Sequence, residues 1–350
     1  MPSGVMPWVL SLASSGKAGQ VRCGLSGIVD VALMEEKMRG ILVATHGGAS
    51  ADGAVRVAND LGKKLGTTLS AFCVVEPLPL IDPGFGAPYV ETPELEEARR
   101  HAMRAGVAAQ LERCGVTAPI RTTMGFGAAE IAAAARRAGA ELIVLGIGPH
   151  RLLDRALGHE TALQLVQSAS TPVLAVAAGA VAAPGHVLVA MDFSPTSLVS
   201  ARLIARWMRA GDTFHVVHVA HFRDNPVHAE LDRARATAAL ARELDAIVAD
   251  LALRDGVIVR TTVVVGEPAQ MVLELAVREG ADLVATGSHG YGIWKRLTLG
   301  SVASKILRLS AQSVLVTPIG SLGAPPLTAP NVASVSRPVS REDARVGTVV

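Results

Sequence analysis

Residues 287–301, GSHGYGIWKRLTLGS, combine the residue types that can cradle a phosphate. Gly287 and Gly290 are three apart, Gly300 lies ten further on and Ser301 follows directly, so the pattern is G-x2-G-x9-G-S. In front of it, ADLVATG is an apolar, β-branched run that reads as a buried strand stopping at Gly287. Behind it, SVASKILRL opens with a serine suited to an N-cap and sets Val302, Ile306 and Leu309 at helical spacing. The expected order is strand, glycine loop, helix N-terminus. Glycine lets backbone approach a ligand closely and take positive φ. Free N–H groups at Gly300, Ser301 and Val302 would carry the positive end of the helix dipole, which suits an anion. Ser288 and His289 lie inside the loop and are expected beside the phosphates, His289 without a catalytic role. On spacing alone, a Gly-rich connection with a good cap fits these residues as well.

With its apolar helix and the closing strand SVLVTP, the stretch resembles the nucleotide-binding signature of the universal stress protein family. The resemblance implies ATP, alone or with Mg2+, held through its phosphates at Gly287, Gly290, Gly300 and Ser301. It also implies that Asp192 and the backbone near Val219 serve the adenosine end. Asp192 follows the apolar run VLVAM, where a carboxylate can accept from nucleoside donors. Read from residues alone, an Asp opening a turn with Ser194 and Pro195 fits equally well. The candidate ligand set is therefore Asp192, Val219, Gly287, Ser288, His289, Gly290, Gly300, Ser301 and Val302.

The elements that must position this set occur twice. GILVATHGG, residues 40–48, reads as a first strand, followed by a helix with Ala54, Val57, Ala58 and Leu61 on one face and Gly66 closing it. Strands and helices then alternate to TPVLAVAA, which argues for a parallel sheet covered on both faces. HVLVAMDFS at 186–194 restates the first strand, and RTTVVVGEPAQMVLELAVREGADLVATG restates RTTMGFGAAEIAAAARRAGAELIVLG. The offset is 146 between His46 and Asp192, 145 between Val74 and Val219, and 141 between Gly146 and Gly287, a drift that loop insertions explain. The resemblance implies two tandem five-stranded parallel-sheet α/β sandwiches, Rossmann-like with strand order 3-2-1-4-5, over 39–180 and 185–319. Residues 1–38 are expected to be a disordered extension, with Met34 or Met38 as alternative starts, and 320–350 a disordered tail. The family's closing strands pair across a pseudo-two-fold, which implies pairing of the two halves within the chain, with a homodimer of whole chains as a further option.

The halves are chemically unequal. His46 stands where Asp192 would be, and Pro149 replaces the second glycine. Gly158 follows Gly146 by 12 residues, against 13 from Gly287 to Gly300, which puts His159 and Glu160 in place of Ser301 and Val302. A carboxylate at a phosphate position repels the ligand. The first half is thus expected not to hold ATP. Lys295 and Arg296, beside Trp294, suit either a phosphate contact or a solvated face.

Other classes fit poorly. A net charge of +2 and 3% aromatics do not suit nucleic acid. No run of eighteen apolar residues suggests a membrane span. Cys23, Cys73 and Cys114 have no CxxC spacing, which fits reduced thiols in the cytoplasm. His215 and His218 are an odd number apart on one strand and so face opposite ways, which makes tolerated or surface histidines the better reading than a metal cluster. There is no GxxxxGK[ST], GxSxG or HExxH. GFGAAE at Gly125 and GEPAQ at Gly266 read as a strand-to-helix turn common to both halves. The expected function is a non-catalytic, ATP-binding stress-response module. A slow ATP hydrolase or phosphotransferase, and a ligand-free dimerisation module, are the alternatives.

Overall fold

The computed structural model describes residues 40–77, 92–147, 155–221, 229–289 and 299–323. The first half runs β1 (Ile41–Ala44), α1 (Asp52–Leu65), β2 (Leu69–Val75), α2 (Pro93–Arg113), β3 (Ile120–Met124), α3 (Gly127–Ala138), β4 (Leu142–Ile147), α4 (Arg155–Ser168) and β5 (Val173–Ala177). The second repeats it as β6 (His186–Ala190), α5 (Pro195–Trp207), β7 (Thr213–Ala220), α6 (Ala229–Ala249), β8 (Ile258–Val265), α7 (Pro268–Arg278), β9 (Leu283–Gly287), α8 (Ser301–Leu309) and β10 (Ser313–Thr317). The expected residues form these helices. Ala54, Val57, Ala58 and Leu61 are buried on α1, which Gly66 ends at φ 63°. Ser194 caps α5 by accepting from the Ser197 N–H, with proline in the first turn. The glycines of the shared strand-to-helix turn, Gly125 and Gly266, take φ 148° and 156°.

Within each half the strand order is 3-2-1-4-5 and every pair is parallel, as the resemblance implied. β5 and β10 then pair antiparallel, Leu174 opposite Leu315, so all ten strands form one sheet in the order β3-β2-β1-β4-β5-β10-β9-β6-β7-β8. The two closing strands lie at its centre, and the edges are β3 and β8. One apolar layer includes α1, α2 and α5 residues such as Leu61, Val107 and Trp207. The opposite layer carries Ile131, Leu165, Leu275 and Ile306 from α3, α4, α7 and α8. Strands buried on both faces need such continuous apolar runs. Lys64 ties the halves together on one side by its bond to Asp212 at 2.7 Å, and the Ala183 N–H anchors the linker to Asp60 at 2.7 Å. Beyond β10 the chain continues in a 3-10 turn, Ile319–Gly323, whose Ser321 hydroxyl donates to the Ser170 carbonyl at 2.9 Å. Residues 1–38 and 324–350 lie outside the described residues.

Candidate functional site

β6 and β9 are adjacent in the sheet, so the turn after β6 and the loop after β9 meet at their carboxyl ends. This is where strand order reverses, the place where open α/β sheets hold ligands. Helix α8 begins at Ser301 with Gly300 as its N-cap, and no side chain caps it. Ser301 is therefore the first helical residue rather than the cap expected from sequence. Nor is the Gly300 amide free: it donates to the Ser288 carbonyl at 2.8 Å. The uncommitted amides of a helix start consequently begin at Ser301 and Val302. Ser288 is 1% exposed, its N–H donates to the Thr317 carbonyl at 2.9 Å, and its hydroxyl lies 2.8 Å from His289 Nδ1. It staples the loop to β10 more than it faces solvent. Gly290, Trp294, Lys295 and Arg296 lie outside the described residues.

The glycines have a reason that spacing does not show. Neither Gly287 nor Gly300 has positive φ. A Cβ on Gly300 would sit 2.9 Å from the Ser288 carbonyl oxygen, and one on Gly287 would strike Thr196 Oγ1 and lie 2.8 Å from the Ser197 nitrogen. Both positions exist for close approach of one backbone to another. Gly287 lets α5 press its first turn against the end of β9.

A seam of hydroxyls that the sequence reading missed holds α5 there. Thr196 Oγ1 donates to the His289 carbonyl at 3.0 Å, and Ser200 Oγ donates to the Thr286 carbonyl at 2.9 Å and lies within hydrogen-bond reach of Thr317 Oγ1 at 2.6 Å. Ser200 and Thr317 are fully buried, where unpaired hydroxyls would be costly. The repeat carried a usable signal, since Ala54, Leu145 and Val176 stand where Ser200, Thr286 and Thr317 are. Asp192 is exposed at the mouth of this junction, and its Oδ1 accepts from the Ser194 N–H at 3.0 Å. The turn-opening role thus engages one carboxylate oxygen. Val219 is half-buried near the end of β7.

The first half is built differently at the same place. Helix α4 starts at Arg155, so Gly158 lies inside it and Glu160 is an exposed residue of its second turn. The expectation that Glu160 occupies the helix start is overturned; the start itself has moved. After β1, the fully buried Gln110 of α2 ties the turn down. Thr45 Oγ1 donates to its Oε1 at 2.7 Å, and its Nε2 donates to the Gly48 carbonyl and to Asp52, both at 3.0 Å.

Of the two strand histidines His215 is buried and His218 partly buried, which fits tolerated rather than surface histidines. His215 is 3% exposed, with Nε2 2.8 Å from Thr262 Oγ1, and burial pushes its imidazole down to about 4. His218 donates from Nδ1 to the Met191 carbonyl at 2.8 Å. Among the described residues no group of three or more His, Cys, Asp or Glu is placed to hold a metal ion.

Residues 38–177 and 184–318 each match the model of the universal stress protein family. The chain belongs to that family. Among curated members, a 58-residue stretch is 38% identical to Universal stress protein MJ0577 of Methanocaldococcus jannaschii. That match covers 17% of this chain, and the chain spans 36% of the relative's length. The fold is similar to the crystal structure of a universal stress protein from Archaeoglobus fulgidus, with a TM-score of 0.56 at 18% identity over 81% of this chain and 98% of that one. A universal stress protein crystallised in complex with cAMP matches 41% of this chain over its whole length, at 20% identity and a TM-score of 0.30. Among the described residues no helix is long and apolar enough to cross a membrane.

Proposed function

We propose that the second half, 185–319, holds ATP and that the chain is a non-catalytic, nucleotide-dependent stress-response module of the cytoplasm. The observation that carries this reading is the uncapped start of α8, set against the end of β6 at the switch point of the sheet. Amides of Ser301 and Val302 would take phosphate oxygens, with Gly287, Ser288, His289, Gly290 and Gly300 shaping the loop that approaches them. Asp192 and the backbone near Val219 would serve the adenosine end. A Mg2+ ion accompanying the nucleotide would draw on phosphate oxygens and water, since Asp192 is assigned to the adenosine end. The first half, 39–180, is proposed not to bind nucleotide, because its helix start is displaced and Gln110 closes its β1 turn.

Calorimetric titration of the full chain with ATP and with cAMP, alongside phosphate release, tests this. Tight ATP binding without turnover, lost in Gly300→Val, is the expected result. Turnover abolished by the same substitution would make the protein a hydrolase, and flat titrations with both nucleotides would leave a structural module.

A further inference from the structure

Phe193 has φ 62°, and among the described residues it is the one non-glycine with positive φ. A bulky L-residue is disfavoured in this region, and strain of this kind gathers at ligand sites. The first half shows what an unstrained version looks like. Met191 N–H donates to the Val217 carbonyl as Thr45 N–H donates to that of Phe72, so the turns after β6 and β1 are in register. Phe193 therefore corresponds to Gly47, which takes φ 84° freely. The position is left-handed in both halves, and the second keeps an aromatic ring where the first has glycine.

The ring is held by His218. Their centroids are 4.7 Å apart with the planes inclined by 42°, and His218 Nδ1 donates to the Met191 carbonyl at 2.8 Å. Met191, Asp192 and Phe193 are consecutive, so this clasp closes on both neighbours of Asp192. In the first half all its members change together. Gly47 replaces Phe193, Cys73 replaces His218 and turns its Sγ to Thr122 Oγ1 at 3.3 Å, and His46 replaces Asp192.

We infer that Phe193, clasped by His218, is a positioning residue that fixes the Asp192 carboxylate at the mouth of the site. This rests on the nucleotide reading above. An exposed carboxylate left to itself samples several rotamers, and ordering it in advance removes that loss from binding. The left-handed turn at Phe193 brings the Ser194 N–H back onto Asp192 Oδ1 at 3.0 Å and leaves Oδ2 for a ligand.

Two measurements on the full chain test it, with Phe193→Gly as the main variant because Gly47 shows that the turn accepts glycine. In the absence of nucleotide, hydrogen exchange at the Ser194 amide should quicken by about tenfold in Phe193→Gly and in His218→Ala, and stay near the unmodified rate in Phe193→Tyr. On titration with ATP, Phe193→Gly should weaken binding by about tenfold, and Asp192→Asn should remove any further effect of Phe193→Gly. Unchanged exchange at Ser194, or an equal loss of ATP affinity with and without Asp192→Asn, overturns the positioning role. A flat titration of the unmodified chain overturns the nucleotide reading instead, and the exchange measurement then still decides whether Phe193 fixes Asp192.

Discussion

Gly300 illustrates how a residue can be legible in type and misread in cause. Its φ of −57° is open to any residue, so alanine there meets no backbone penalty. What it meets is the Ser288 carbonyl oxygen, 2.9 Å from the added Cβ. Gly300→Ala should therefore destabilise the chain by about 1–3 kcal/mol, the usual cost of overpacking, read as a lower urea midpoint. An unchanged midpoint would show that the loop yields, and that the glycine serves the ligand alone. Gln110 was invisible for the opposite reason: nothing in a helical run announces that one amide is fully buried among Thr45, Gly48 and Asp52. Gln110→Ala strands the Thr45 hydroxyl and should cost about 1–3 kcal/mol.

At the scale of elements, α5 is the piece that brings β6 and β9 together. Ser200→Ala removes the partner of the buried Thr317 hydroxyl and should destabilise by about 1–3 kcal/mol, while the pair Ser200→Ala with Thr317→Val should recover most of that. The first half already uses that apolar pair, Ala54 and Val176. A double variant no more stable than Ser200→Ala would mean that the seam acts through packing and not hydrogen bonding. β7 adds a pH dependence. Unfolded, its His215 takes a proton near 6.5; folded, burial holds that off until about 4. The unfolded chain binds more protons in this window, so stability is full above pH 6.5 and drains as pH falls toward 4, by about 3 kcal/mol. His186, also lowered chiefly by burial, acts in the same sense. Denaturation midpoints measured from pH 7 to 4 should fall less steeply in His215→Gln than in the unmodified chain.

For the whole molecule, the junction of β5 and β10 decides cooperativity. Leu174 and Leu315 face each other across it and are both fully buried. Truncating Leu315→Ala should cost about 2–5 kcal/mol, and because the sheet is continuous both halves should still melt in one calorimetric transition at lower temperature. Two separated transitions would show that the halves are independent and merely touch. The Lys64–Asp212 pair, also between halves, has both side chains only 17% exposed, so its attraction is offset by the desolvation of two charges.

Alternating apolar runs, closing glycines such as Gly66 and the internal repeat determined the two α/β halves, because periodicity and turn chemistry are local properties, while their strand order came only from the family resemblance. The family and the place of the candidate site were equally legible from G-x2-G-x9-G-S. Tertiary structure alone decided which amides at that site are uncommitted, since the Gly300 N–H is claimed by Ser288, a residue distant along the loop. It alone showed that α4 starts ahead of Gly158, that Phe193 is left-handed and that hydroxyls of α5 and β10 meet carbonyls of β9 and its loop. Hydrogen bonds and close approaches between segments far apart in sequence depend on where the fold brings them, and no local pattern encodes that.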